Sequence, residues 1–155
     1  MTTPRFADAP AMLLVGIRRT HQFADVATGL VAQWAEFATA TAPVTTAASV
    51  TYGVIGGVDM QAQWMDYLCG VEVASFDAAP ASLDRMRIPA AHYAVFEHRG
   101  HISSLRETWG IAMPWLANNG AWRDAETPPF ERYDARFDPA TGMGVMEIWV
   151  PVLPT

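Results

Sequence analysis

The order strand, helix, strand, strand is written twice in this chain, and a duplication of that kind admits few folds. The first copy opens on the apolar run Ala11-Met12-Leu13-Leu14-Val15-Gly16-Ile17-Arg18. Phe23, Val26, Leu30, Trp34 and Phe37 then recur at helical spacing over residues 23–39. A loop rich in Thr, Ala and Pro covers 41–49. Strands follow at 50–55 and 64–74, divided by the turn that Gly56-Gly57 opens, with Gly70 a candidate bulge. After a linker over 77–86, a strand at 87–97 begins the second copy. Ser104-Leu105-Arg106-Glu107 has the spacing of a capping box and opens a helix to about Asn118. A loop over 121–129 leads to two more strands, joined by the turn Asp138-Pro139-Ala140-Thr141-Gly142. An offset of 79 residues aligns Leu14-Val15-Gly16-Ile17 with Tyr93-Ala94-Val95-Phe96, and places Tyr52 on Glu131. The expected fold is α+β: tandem β-α-β-β units over about 11–75 and 87–152 within one domain, residues 1–155. An antiparallel sheet would carry two main helices on one face, with a ligand cleft at the junction of the halves.

Composition narrows the function. Of 155 residues, 51% are hydrophobic, enough for a core, and 17% are charged. A net charge of −6 argues against duplex nucleic acid, whose binding needs clustered basic groups to replace counterions. Cys69 is the only cysteine, so a disulfide framework or a cysteine-based zinc site within the chain is excluded. Residues 1–10 lack the basic start and apolar core of a signal peptide. No apolar stretch approaches the ~20 residues that span a bilayer. A cytoplasmic location is expected, away from the membrane.

Two glutamates stand in apolar company. Glu147 lies within Val145-Met146-Glu147-Ile148-Trp149-Val150-Pro151-Val152. With side chains alternating along a strand, Glu131 falls with Tyr133, Ala135 and Phe137, while Arg132, Asp134 and Arg136 take the other face. A buried, unpaired carboxylate costs several kcal/mol or becomes protonated, so each calls for a partner. A buried arginine, backbone donors or water would satisfy Glu147, as would an exposed sheet edge or a ligand. Of the two, Glu147 is preferred as the ligand's partner, because its strand is apolar on both faces.

The run Ile88-Pro89-Ala90-Ala91-His92-Tyr93-Ala94-Val95-Phe96-Glu97-His98-Arg99-Gly100 resembles the entry to the second repeat of the GyrI-like small-molecule-binding domain, also the effector-binding domain of AraC-type and MerR-type multidrug-responsive regulators. Trp115-Leu116, Pro129-Phe130-Glu131-Arg132-Tyr133 and Met146-Glu147-Ile148-Trp149-Val150-Pro151-Val152 continue in that family's order. Tyr52-Gly53-Val54 and Tyr67-Leu68-Cys69-Gly70-Val71-Glu72-Val73 fit its first repeat. The resemblance implies an aromatic cleft with a buried glutamate facing lipophilic, cationic small molecules. By position, Glu147 and Glu131 are the acidic candidates, and Tyr52, Trp64, Tyr67, Trp109, Tyr133 and Trp149 the wall candidates. In the regulators the domain is fused to a helix-turn-helix module. Residues 1–10 are too short for one, so DNA binding is not carried over.

Other motifs carry less. His98 and His101 flank a strand-to-helix turn but lack the further ligands that zinc needs. No Gly-x-Ser-x-Gly or Gly-Lys-Ser/Thr motif occurs, and neither a metal nor a cofactor is expected. The leading expectation is a stand-alone binding or drug-sequestering module. Some GyrI-like relatives hydrolyse strained cyclopropane-bearing genotoxins; here that would need Glu131, Glu147 and Tyr67 in one cleft. A gyrase-inhibitor-like module with a protein partner would instead present an exposed apolar patch.

Overall fold

The computed structural model describes residues 3–46 and 49–155. Met1-Thr2 of the expected domain and Ala47-Ala48 of the expected loop lie outside the described residues. The first copy comprises β2 (Met12–Gln22), which follows β1 (Arg5–Ala9), then α1 (Val26–Ala40), β3 (Thr51–Asp59) and β4 (Trp64–Val73). The second comprises β6 (Ala91–His101), which follows β5 (Asp84–Ile88), then α2 (Leu105–Asn118), β8 (Phe130–Asp138) and β9 (Met143–Pro154), with the short β7 (Trp122–Asp124) inserted after α2. From β1 and β5 through β4 and β9, corresponding elements begin 79 residues apart.

All strands join one antiparallel sheet in the order β1-β6-β9-β8-β3-β4-β2-β5, with β7 beside β9. The halves meet at the β3–β8 pair. Each leading strand crosses to the other half: β1 edges β6, and β5 edges β2. Both were hidden in the sequence, β1 in a stretch without clear alternation and β5 inside the expected linker and strand. Pro89, which separates β5 from β6, has no amide hydrogen to continue a ladder.

One face carries the helices. Phe37 of α1 packs on Val15, Ile17, Cys69 and Val71. Leu105, Ala112 and Leu116 of α2 pack on Phe96, Met146 and Ile148. The far face is buried as well. Met12 and Leu14 of β2 share a cluster with Tyr93 and Val95 of β6, although these strands lie near opposite ends of the sheet order. The sheet must therefore curl until its far face closes on itself, which explains strands that are apolar on both sides.

Three local expectations change. Gly56-Gly57 does not end β3; the strand continues to Asp59, and the pairing with β4 shifts register between Ile55 and Gly57. Gly70 is no bulge, pairing regularly with Gly16 and Tyr52. The Ser104 side chain does not cap α2; its hydroxyl donates to the His101 carbonyl at 2.8 Å. Among the described residues, no helix is long and apolar enough to cross a membrane.

Candidate functional site

A cavity of about 1680 Å³ lies between α1 and α2, over the seam of β3 and β8. That exceeds the range of roughly 300–1,000 Å³ common for small-molecule pockets. Leu30 and Trp34 of α1 face Trp109 and Met113 of α2 across it. The floor includes Ile55, Tyr67, Glu131 and Tyr133. Val31 and Met60, each 74% exposed, form part of the lining where it meets solvent.

Glu131 is buried in this floor. The hydroxyls of Tyr67 and Tyr133 each donate to its Oε1 at 2.7 Å, and Trp109 Nε1 donates to Oε2 at 2.9 Å. Burial raises the Glu131 pKa above the usual carboxylate range, against the pull of these three hydrogen bonds. Burial, then the neighbouring Glu131 charge, pushes Tyr67 and Tyr133 well above the ordinary phenol range, so both remain donors. No ion pair among the described residues involves Glu131. Arg106 is the one arginine among the described lining residues, it is exposed, and the chain contains no lysine.

Supporting residues hold these groups in place. The Gln33 side-chain amide, buried under α1, donates to the carbonyls of Ile17 and Tyr67 at 2.8 Å each, fixing the helix over β2 and β4. Trp34 meets Tyr133 edge-on at 5.5 Å and Tyr67 at 6.3 Å. Gly53 stands directly opposite Glu131 in the β3–β8 pairing. A Cβ there would lie 1.8 Å from the Tyr67 hydroxyl oxygen and 2.6 Å from Glu131 Oε1. The missing side chain is the space these two groups occupy. Gln33, Trp34 and Gly53 were not among the sequence-derived site residues; Trp34 was visible only as part of a helical stripe.

Of the eight expected site residues, Glu131, Tyr67, Trp109 and Tyr133 come together in the cavity. Glu147, expected from the sequence as the ligand's partner, does not line this cavity. It is buried on the far face, with Arg5 at 2.5 Å, Arg136 at 3.2 Å and Arg132 at 3.6 Å. Trp149 Nε1 donates to it at 3.1 Å, and the Arg5 guanidinium lies 5.6 Å from the Trp149 ring centroid. An apolar strand implied burial, but both sheet faces are buried, so burial did not choose the face.

Tyr52 is also on the far face, edge-on to Phe130 at 5.4 Å. It lines a separate hollow of about 320 Å³ beside Arg132. Its alignment with Glu131 fails by one residue. Thr51 pairs with Val71, whereas Phe130 pairs with Trp149 rather than Val150. Relative to β4 and β9, the equivalence of β3 and β8 is thus offset by 78, and a one-residue slip exchanges faces. Gly53, not Tyr52, is the counterpart of Glu131. Trp64 alternates with the cavity residue Met65 along β4 and is not part of the lining.

His98 Nδ1 lies 2.8 Å from the Thr108 hydroxyl, and its Nε2 lies 3.0 Å from the His101 carbonyl. Both ring nitrogens therefore have protein partners. Among the described residues, no group of three His, Cys, Asp or Glu side chains is placed to hold a metal.

Comparisons with known proteins agree with this architecture. Residues 2–153 match the sequence model of the GyrI-like small molecule binding domain. The transcriptional regulator BrlR of Pseudomonas aeruginosa is 32% identical over 88 residues, 56% of this chain and 32% of BrlR. The chain thus matches about a third of that relative's length. The structure of SAV2435 bound to tetraphenylphosphonium superposes with a TM-score of 0.75 at 20% identity, covering 97% of this chain and 93% of that one. The C-terminal domain of EcmrR gives 0.71 at 19% identity, covering 100% and 99%. At these identities the two structural likenesses speak for the fold.

Proposed function

The chain belongs to the GyrI-like small molecule binding domain family, and from that premise we propose that it binds lipophilic cations between α1 and α2, with Glu131 as the counter-charge. The observation that carries this is a buried carboxylate held by three uncharged donors, with no cation of its own among the described residues. Tyr67, Tyr133, Trp109 and Trp34 supply ring surface around it; a well-placed ring contributes about 0.5–2 kcal/mol to a cation. The carboxylate supplies Coulomb attraction that water would otherwise screen. That SAV2435, of the same fold, was captured with tetraphenylphosphonium supports this ligand class.

In the cell the domain would sequester such molecules or report them to a protein partner. The likeness to part of BrlR supports an effector-binding role in transcriptional control. Hydrolysis by paired glutamates finds no support, because Glu131 and Glu147 lie on opposite faces of the sheet. The exposed apolar residues Val31, Val58, Met60 and Met113 line a cavity of about 1680 Å³, which favours a small-molecule site over a flat interaction patch.

Isothermal titration with tetraphenylphosphonium, beside a neutral aromatic compound of the same shape, tests the proposal. The cation should bind in the micromolar range or better, at least tenfold tighter than the neutral compound. Equal affinity for both, or binding of neither, would remove Glu131 from the role.

A further inference from the structure

We propose that the cleft selects cations by their hydrogen-bond donors: centres with no N–H or one, such as quaternary and tertiary ammonium, are preferred to primary ammonium. This rests on Glu131 being the counter-charge, and concerns what kind of charge it can receive.

A carboxylate offers about four acceptor positions. Both positions on Glu131 Oε1 are taken by Tyr67 and Tyr133, and one on Oε2 by Trp109. Among the described residues, these contacts leave a single position for a ligand. The neighbouring phenols and the second carboxylate are poorly placed to add more, which leaves uncharged wall hydroxyls such as that of Thr51. Tyr67 and Tyr133 are only 1% and 5% exposed, and the Tyr67 hydroxyl is enclosed against Gly53. Asp134, the other carboxylate lining the cavity, is bound by Arg132 at 2.8 Å and by Arg136 at 2.9 Å.

A primary ammonium arrives with three N–H donors, all satisfied in water. In this cleft one finds Glu131 Oε2, and the others lose their partners as the rings close around them. A buried donor left unmatched weakens binding by roughly tenfold or more. A tertiary ammonium has one donor for one position. A quaternary centre has none to strand and keeps the full attraction of the charge. Hydrogen-bond saturation thus converts a carboxylate from a general amine acceptor into a site for bulky, weakly hydrated cations.

The test is a titration of the wild-type chain at pH 8 with four ligands on one aromatic skeleton, ending in trimethylammonium, dimethylammonium, primary ammonium and the neutral isostere tert-butyl. Trimethylammonium and dimethylammonium should bind at least tenfold tighter than primary ammonium. If primary ammonium matches trimethylammonium while both exceed tert-butyl, the selection proposed here is wrong and the counter-charge stands. If tert-butyl equals trimethylammonium, the counter-charge itself fails. Methyl groups add apolar area in any site, so a second measurement separates that effect. Tyr133→Phe frees a position on Oε1, and should narrow the trimethylammonium-to-primary preference about fivefold. An unchanged preference would assign it to apolar area and overturn the inference. Trp109→Phe, which frees Oε2, serves the same purpose should the first variant not fold.

Discussion

Glu131 and Glu147 sit on neighbouring strands with adjacent registers, Glu131 opposite Ile148 and Arg132 opposite Glu147, yet their surroundings are chemical opposites. Glu147 is ringed by Arg5, Arg132 and Arg136 and lies beside Trp149, under the Arg5 guanidinium. It is a carboxylate-and-tryptophan cation site whose cation is built into the chain. Glu131 has tyrosine and tryptophan donors and no built-in cation among the described residues. The arginines also solve a local problem, because Glu97 is paired directly across from Glu147, and Arg136 reaches both. Neutral donors stabilise a buried anion while leaving its charge uncancelled; arginines cancel it. A buried carboxylate is therefore a ligand candidate because of what surrounds it, not because it is buried.

The sharpest way to break this comparison is to remove each charge in turn. Glu131→Gln should weaken tetraphenylphosphonium roughly a hundredfold, a few kcal/mol of Coulomb attraction in a partly desolvated site. It should leave a neutral aromatic analogue within about threefold. Titration calorimetry on both proteins reads this directly, and a mutant that binds the cation normally would move the counter-charge elsewhere.

A smaller effect is expected from Gly53→Ala. The new methyl cannot coexist with the Tyr67–Glu131 hydrogen bond as placed, since the contact would be 1.8 Å. One of these groups must move, destabilising the fold by about 1–3 kcal/mol and weakening the cation about tenfold. Urea unfolding and titration would check both. Unchanged values would mean that Gly53 is not the space-maker it resembles.

Much of this was readable from the residue pattern. Helical stripes such as Val26-Leu30-Trp34-Phe37 located α1, and the 79-residue offset recurs in the element boundaries. Strand alternation alone placed Glu131 with Tyr133, and the two share the cavity floor. What was hidden depends on three dimensions. The sheet curls so that both faces are buried, and Glu147 looked like a cleft residue when its face packs elsewhere. A one-residue slip between β3 and β8 moved Tyr52 to the far face, and slips of one residue leave no trace in an offset of whole elements. Edge strands β1 and β5 are only five residues each and pair with the opposite half, so the strand order of a single repeat does not announce them, although Met86 and Ile88 of β5 do alternate with Arg85 and Arg87.

Glu147→Gln sharpens the comparison from the other side. Cation affinity should stay within about twofold of wild type. Stability should fall by about 1–2 kcal/mol, because three arginines lose the charge they share, although their own exposure limits the loss. A large loss of cation affinity with unchanged stability would reverse the roles assigned to the two glutamates.

The smallest effects are those of pH, and they differ in sign between carboxylates. The Glu131 pKa is raised by burial, so the folded protein takes up this proton before the unfolded chain does. Protonation here favours the fold, with the gain arriving as pH falls through the raised pKa and levelling off near the ordinary glutamate value. Asp134 behaves oppositely. Its hydrogen bonds to Arg136 lower its pKa to about 2, so its contribution is present above the ordinary aspartate value and lost as pH falls toward 2. Comparing urea midpoints of wild type and Glu131→Gln from pH 8 down to pH 5 isolates the first group: the difference should shift in favour of wild type as pH falls. As pH falls through the raised Glu131 pKa, wild-type affinity for tetraphenylphosphonium should decline, because the cation binds the ionised form, while the weak affinity of Glu131→Gln stays flat. Parallel declines in both proteins would show that another group titrates beside the ligand, and would leave the uncancelled charge of Glu131 without its pH signature.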